Sequence, residues 1–487
     1  LEQMLEAQLL TSVLLENSAS PLQQALETTS LGQAPSPLCG LEDSMRELVF
    51  VCGIEGSEAE HADALEALVL EVITDVANNG ISHERLQAVL HQLELHQREI
   101  SGDSYPYGLQ LIMQALGCAT HYSDPIAVLN LDPVIDSLRQ RIEDPEYIKS
   151  LAQKLLLDNN HRVTLVMEPN KELSAEKLQR ETQRLADIKA AMDEAQKQAT
   201  VQLATDLSER QSQVDDESIL PKVELSDVPA GLQELEFKEH NNGPLHVTTY
   251  SQGTNGLVYQ QMIAALPALD SAQQSVLPLY TSFLTELGIG EGSYLDSQHR
   301  QSAEVGSINA FTSMRGEADN EQSITANFVL SSKALLRNAE DQARLMADTM
   351  QGARFDEVER IRELVSQQRA RREQSVTGNG HGLAMAAACA GMSPLAKLNH
   401  QLSGLAGIRS LRELDDSLAD DNNAANFARQ LGVVHERIAA MPRQLLAIAE
   451  PDAVGSIAKQ QASVWSEHSA NTSDKFSLPQ VREKRSE

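Results

Sequence analysis

The sequence predicts an α+β fold of two homologous domains, each a layer of helices against a largely antiparallel sheet, joined by a long helical hairpin. Three observations predict it. Residues 44–99 and 320–373 share one order: an apolar run, a long helix, then a second amphipathic helix. Leu86, Val89 and Leu90 in the first fall where Ile361, Leu364 and Val365 fall in the second, at one constant offset. Each copy later closes with an apolar run ending in Glu-Pro, VTLVMEP at 163–169 and LLAIAEP at 445–451. Between the copies, residues 171–213 are rich in Glu, Lys, Gln and Ala with few breakers, which reads as solvated helix. A repeat this long is a duplicated domain rather than a solenoid unit. The boundaries that follow are 1–170, 171–235 and 236–465, with 466–487 a polar connector.

The elements follow in order. Leu5, Leu9, Leu10, Val13 and Leu14 recur at helical spacing, so residues 1–16 form an amphipathic helix. The chain opens inside that helix with neither Met nor a leader, so it is expected to be part of a longer protein. NSASP ends the helix and Pro21 starts a short one through Glu27. RELVFVCGI at 46–54 is strand-like, and Glu58 to Asn78 is a long helix stopped by Asn-Asn-Gly. Ile81, Leu86, Val89, Leu90 and Leu93 mark the next helix. Turn signals around Gly102 and Pro106 precede further helices, and RVTLVME at 162–168 completes a strand. After the solvated helices, LPKVELSDVP at 220–229 is extended. The second domain opens near residue 236, with a hairpin of strands expected around Gly253 to Gly256. A helix at 275–287, strands near 303–314 and 323–331, three or four helices and a closing strand at 444–449 complete it.

Composition narrows the function. The hydrophobic fraction is 41%, ordinary for a globular chain, and the longest apolar stretches are far short of a membrane span. A formal charge of −31 argues against nucleic acid, which needs clustered Lys and Arg, and suits cationic partners. Cys39, Cys52, Cys118 and Cys389 are scattered without metal-ligand spacing. That favours free thiols and a reducing, cytoplasmic setting, although an N-terminus outside the sequence leaves the compartment open.

Several segments carry a resemblance. NSASPLQQALETTSLG (17–32), the helical linker with LPKVELSDVP, TNGLVY (254–259), PLYTSFLTELG (278–288), TGNGHGLAMAAACAGMSP (377–394) and LSGLAGI (402–408) occur in one expected order. They resemble the second domain, helical hairpin and third domain of the insulinase-like (pitrilysin) zinc metallopeptidases, in their presequence-protease branch. The resemblance implies four homologous α+β domains enclosing a chamber in which unstructured peptides are hydrolysed by a zinc-activated water. The metal motif, His-x-x-Glu-His, belongs to the first domain, and an Arg and a Tyr from the fourth contact substrate. Neither end domain is represented. Glu60-His61, Glu239-His240 and Glu467-His468 supply half-motifs, but Ser57, Glu236 and Val464 stand where the first His is needed. Two imidazoles hold the metal and the carboxylate takes the proton from its water, so no zinc hydrolase site is written here. The expectation is therefore a non-catalytic, chamber-forming part of a zinc metalloendopeptidase. It has no catalytic, cofactor or metal residues of its own, with zinc held by the missing first domain. The expected partners are unstructured, presequence-like and basic peptides and the missing first and fourth domains. The alternative is a zinc-free scaffold of the same fold.

Other constellations read as structure. His91, Glu94 and His96 lie on one helix, but His91 and His96 are about 140° apart around it, so ordinary surface polarity is expected. Gly288, Gly290 and Gly292 lack the strand-before, helix-after context of a dinucleotide loop and read as a flexible turn. Gly378, Gly380, His381 and Gly382 read as a turn that starts a helix, without the Lys-Ser/Thr of a phosphate loop. Asp415, Asp416, Asp420 and Asp421 form an acidic run, either a solvated loop or a face for a cationic peptide. No Gly-x-Ser-x-Gly elbow is present.

Overall fold

The structure, a computed structural model, describes residues 1–100, 106–231, 234–242, 245–465 and 474–481. The chain divides into two compact units, Leu1–Thr164 with Glu236–Glu487, and Leu165–Leu235.

The N-terminal segment of the larger unit is mostly helical. It runs through α1 (Glu2–Leu15), α2 (Pro21–Thr28), β1 (Ala34–Pro35), β2 (Gly40–Glu42), β3 (Val49–Val51) and β4 (Ile54–Glu55). Helices α3 (Ala62–Asn79), α4 (His83–Arg98), α5 (Tyr107–Thr120), α6 (Asp132–Arg141) and α7 (Pro145–Ala152) follow. The five α1 residues picked by spacing are all buried, against Leu22 and Leu26 of α2, Leu86 and Leu90 of α4, and Leu138 and Ile148 farther on. A fully buried leucine in such a cluster is worth about 2–5 kcal/mol against alanine.

This segment carries much less sheet than the repeat implied. Only two two-stranded ribbons form among its described residues, β1 with β4 and β2 with β3. Residues 162–168 are not a strand, and Val163, Leu165 and Met167 are 89%, 77% and 82% exposed. Alternating apolar residues stay extended only where a neighbouring strand accepts their backbone hydrogen bonds, and these residues pair with no described strand. The matched helical triplets are buried in both segments: Leu86, Val89 and Leu90 on α4, and Ile361, Leu364 and Val365 in the C-terminal segment.

The C-terminal segment of the same unit holds a six-stranded mixed sheet. Its strands are β5 (Phe237–Asn242), β6 (Leu245–Ser251), β7 (Leu257–Ala265), β8 (Ser307–Glu317), β9 (Asn320–Leu335) and β10 (Arg443–Ala449), in the order β5-β6-β10-β7-β9-β8. β6 and β7 flank the Gly253–Gly256 turn, yet they are not paired with each other. β10 lies between them, parallel to β6 and antiparallel to β7, so the expected hairpin is replaced by a split pair. Period-2 alternation explains how the sheet sits. On β7, Val258, Gln260, Met262 and Ala264 face the helices and are buried. The other face carries Tyr250, Tyr259, Gln261, Ile263, Leu446 and Ile448, all half-buried. The helices are α10 (Ser271–Phe283), α11 (Tyr294–Glu304), α12 (Ala339–Gly352), α13 (Val358–Gly378), α14 (Gly380–Cys389), α15 (Pro394–Ser403), α16 (Leu405–Ser417), α17 (Asp421–Ala439) and α18 (Val454–Trp465). Their core joins Met262, Phe328 and Leu445 of the sheet to Tyr280, Phe283, Leu345, Val365 and Leu431.

The smaller unit holds two further helices, named αL1 (Leu173–Ala191) and αL2 (Glu194–Ser212). Asp193 caps αL2 through a box with Gln196, which explains the break between them. Neither helix has a buried residue, which matches the solvated helices expected from the sequence. Leu178, Leu185, Val201 and Leu207 stay exposed.

Candidate functional site

The two segments of the larger unit meet at a polar cleft of about 340 Å3. The turn between α1 and α2 forms one wall, and α10, α11 and α13 form the other. Arg360 of α13 is its organising cation and is only 3% exposed. Its guanidinium donates to Glu27 Oε2 at 3.0 Å and to Ser18 Oγ at 2.7 Å, both from the N-terminal segment. It also reaches Glu363 at 3.2 Å and Glu286 at 3.4 Å, and lies 4.4 Å from the centre of the Tyr294 ring. Bidentate geometry and aromatic stacking suit Arg and not Lys to such a position.

Three carboxylates, Glu27, Glu286 and Glu363, gather around this guanidinium, and Glu16, near Arg85, lines the same cleft. Desolvation raises the Glu286 and Glu363 carboxyls above their usual range despite the opposing pull of Arg360. Glu16 is pushed up to about 7, because desolvation by the cleft walls outweighs the Arg85 guanidinium. Both Glu16 and Glu286 still meet water at the cleft surface, which screens their attraction to Arg85 and Arg360. Gln367, 7% exposed, lines the same cleft with its Nε2 unpartnered. The arrangement concentrates negative charge beside an open donor.

A second ionic junction fixes α4 to the sheet. Glu94, 5% exposed, accepts from Arg98 at 3.0 Å, Arg139 at 2.7 Å and Arg337 at 2.9 Å. Burial works against the charged form, but the Arg337 bond and its fellow arginines win, and the Glu94 carboxyl stays below its usual range. His91 beside it is 8% exposed with Nε2 unpartnered. Burial first, then Arg337, lowers it to about 4. Lys333 with Glu99 and Gln92 with the Ser302 and Val305 carbonyls complete the junction.

A family model for the associated region of the M16 peptidases, subfamily C, matches residues 167–414, just over half of the chain. The chain belongs to this family. Over 407 residues it is 26% identical to the mitochondrial presequence protease of Xenopus tropicalis, covering 83% of this chain and 39% of that protein. Over 421 residues it is 26% identical to the chloroplastic and mitochondrial presequence protease 1 of Arabidopsis thaliana, covering 85% of this chain and 38% of that one. The chain thus spans about two fifths of the length of these relatives. Among solved structures, the first half of the periplasmic protease PqqL from Escherichia coli aligns over 52% of this chain and 51% of its own. The identity there is 13% and the TM-score 0.38. The resemblance to the insulinase-like metallopeptidases read from the sequence is confirmed by the family match.

The described residues do not fit the zinc that the resemblance implies. Among the described residues, no three His, Cys, Asp or Glu side chains converge to hold a metal ion. His61 Nδ1 meets the Leu31 carbonyl at 3.1 Å and His240 Nε2 meets Thr249 Oγ1 at 3.3 Å, each a local contact. Glu467 and His468 lie outside the described residues. His91 and Glu94 are buried, not surface residues as expected, because α4 packs against α11 from a distant part of the chain; His96 remains exposed.

The turn at Gly288, Gly290 and Gly292 is braced rather than loose: Glu357 accepts from Gly288 N at 2.6 Å and Gly290 N donates to the Gly352 carbonyl at 2.8 Å. Gly290 has φ +62°, and a Cβ at Gly288 would meet the Gly292 carbonyl oxygen at 2.3 Å. Gly380 starts α14 and leaves His381 exposed. The acidic run is engaged internally, Asp415 and Asp416 by Arg369, Asp421 by Arg362, and Asp420 as the cap of α17. All four cysteines are half-buried free thiols.

Sequence reasoning missed Arg360 and its carboxylates. The usable signal was a charged residue on a core-facing stripe, Arg360, Leu364 and Gln367 at helical spacing.

Proposed function

We propose that this chain is a non-catalytic wall of the chamber of a zinc metalloendopeptidase that degrades short unstructured peptides. On this reading the zinc and its His-x-x-Glu-His belong to a domain outside the sequence, and the end domains of the same protein are its partners. The likeness to presequence proteases along 83% of the chain carries the proposal. The mixed polar and aromatic open face of the sheet supports it, since Tyr, Gln and Ile at alternate positions suit an extended peptide better than a folded surface.

The test uses the purified chain with a fluorescent, unstructured presequence-like peptide and with a folded protein of similar charge. The peptide should bind, the folded protein should not, and zinc supplementation should produce no cleavage. Cleavage abolished by a chelator refutes the non-catalytic assignment. Failure of any unfolded peptide to bind refutes the chamber reading in favour of a scaffold.

A further inference from the structure

We propose that the cleft around Arg360 is a binding site for one cationic residue of a peptide, a lysine or arginine side chain together with an adjoining backbone carbonyl.

Charge counting comes first. With all four carboxylates ionised, Glu16, Glu27, Glu286 and Glu363 face Arg85, Arg360 and Arg371, a set one positive charge short of balance that a bound cation completes while holding Glu16 in its charged form. Arg360 is committed to Glu27 and Ser18, and Arg85 gives a donor to the Ala19 carbonyl. Glu16 and Glu286 are the carboxylates left with capacity, and both border open space.

The second observation is independent of the acidic residues. Gln367 is more than nine-tenths buried, lines this cleft and has an Nε2 donor without a partner. A buried donor left unmade costs about 1–3 kcal/mol, so it marks a place where an acceptor belongs. A bare cation satisfies only the carboxylates. A peptide residue with a cationic side chain supplies the charge and, through its carbonyl oxygen, the acceptor.

Size and donor set exclude the compact alternative. A cleft of about 340 Å3 accommodates a long side chain and its backbone. Among the described residues no three carboxylates or imidazoles converge tightly enough for a metal ion. The proposed site goes beyond the chamber reading and stands apart from the open sheet face.

Calorimetric titration of the full chain separates the possibilities, with three probes: N-acetyl-arginine amide, n-butylguanidinium and N-acetyl-norleucine amide. The arginine amide should bind, n-butylguanidinium, of equal charge, about tenfold more weakly for want of the carbonyl, and the norleucine amide not measurably. Gln367→Ala, which removes no existing hydrogen bond of Nε2, should weaken the arginine amide about tenfold and leave n-butylguanidinium unchanged. Glu16→Gln should weaken both cations. Equal binding of the norleucine amide, n-butylguanidinium binding as tightly as the arginine amide, or no response to either substitution overturns the proposal. A peptide lacking Lys and Arg still binds if only this inference fails, which separates it from failure of the chamber reading.

Discussion

Replacing Arg360 by Met keeps an unbranched apolar stem and removes the cation that joins the two segments of the larger unit. Glu27, with a side chain 6% exposed, loses its partner at 3.0 Å, and Ser18 loses its donor at 2.7 Å. Stranding one buried partner costs about 3–5 kcal/mol. Glu286 and Glu363 are 38% and 27% exposed and add little, because water screens them. The expected loss at pH 8 is therefore about 3–5 kcal/mol, read as a shift in urea unfolding midpoint against the wild type. The pH dependence sharpens the test. Without the guanidinium the folded carboxyls rise further above their ordinary 4.5, so the folded variant holds protons that the unfolded chain releases. The variant should therefore recover as pH falls, with the loss at pH 5 about half or less. A loss under about 1 kcal/mol at pH 8, or one independent of pH, would refute the reasoning.

Two further substitutions probe single groups. Glu16 is raised from 4.5 to about 7, so its contribution to stability is full at low pH and disappears as pH rises through 7. Glu16→Gln should raise the melting temperature relative to wild type at pH 8 but not at pH 5, and equal shifts at both values contradict the assignment. His91, and His435 on α17, buried with its Nδ1 3.0 Å from the Tyr280 hydroxyl, are both lowered from 6.5 to about 4, chiefly by burial, so the unfolded chain binds more protons between those values. Stability should fall as pH drops through that window. The double variant His91→Gln, His435→Gln should flatten the acid limb, and an unchanged limb rules these histidines out as its source.

The helical skeleton was legible because its signals are local. Spacing alone identified the buried face of α1, and the shared offset picked out the buried triplets of α4 and α13. The closing strand at 444–449 was found by its apolar run. What failed depended on neighbours far along the chain. An equally apolar run at 163–167 is not a strand, since no described strand pairs with it. The turn at Gly253–Gly256 looks like a hairpin in isolation, but β10 separates its arms. The cleft was illegible for the same reason. Arg360 and Glu27 lie 333 positions apart, and no spacing rule links them. The family, by contrast, was readable from short segments in a fixed order, which survive low overall identity.

The central position of β10 has a bearing on biosynthesis. A ribosome delivers β6 and β7 some two hundred codons before the strand that must lie between them. Until Arg443–Ala449 emerges, the nascent chain exposes two strand edges that can recruit other polypeptides. Premature stop codons upstream of that strand should therefore yield aggregating products, and a holdase that shields those edges would matter most during the last stretch of translation.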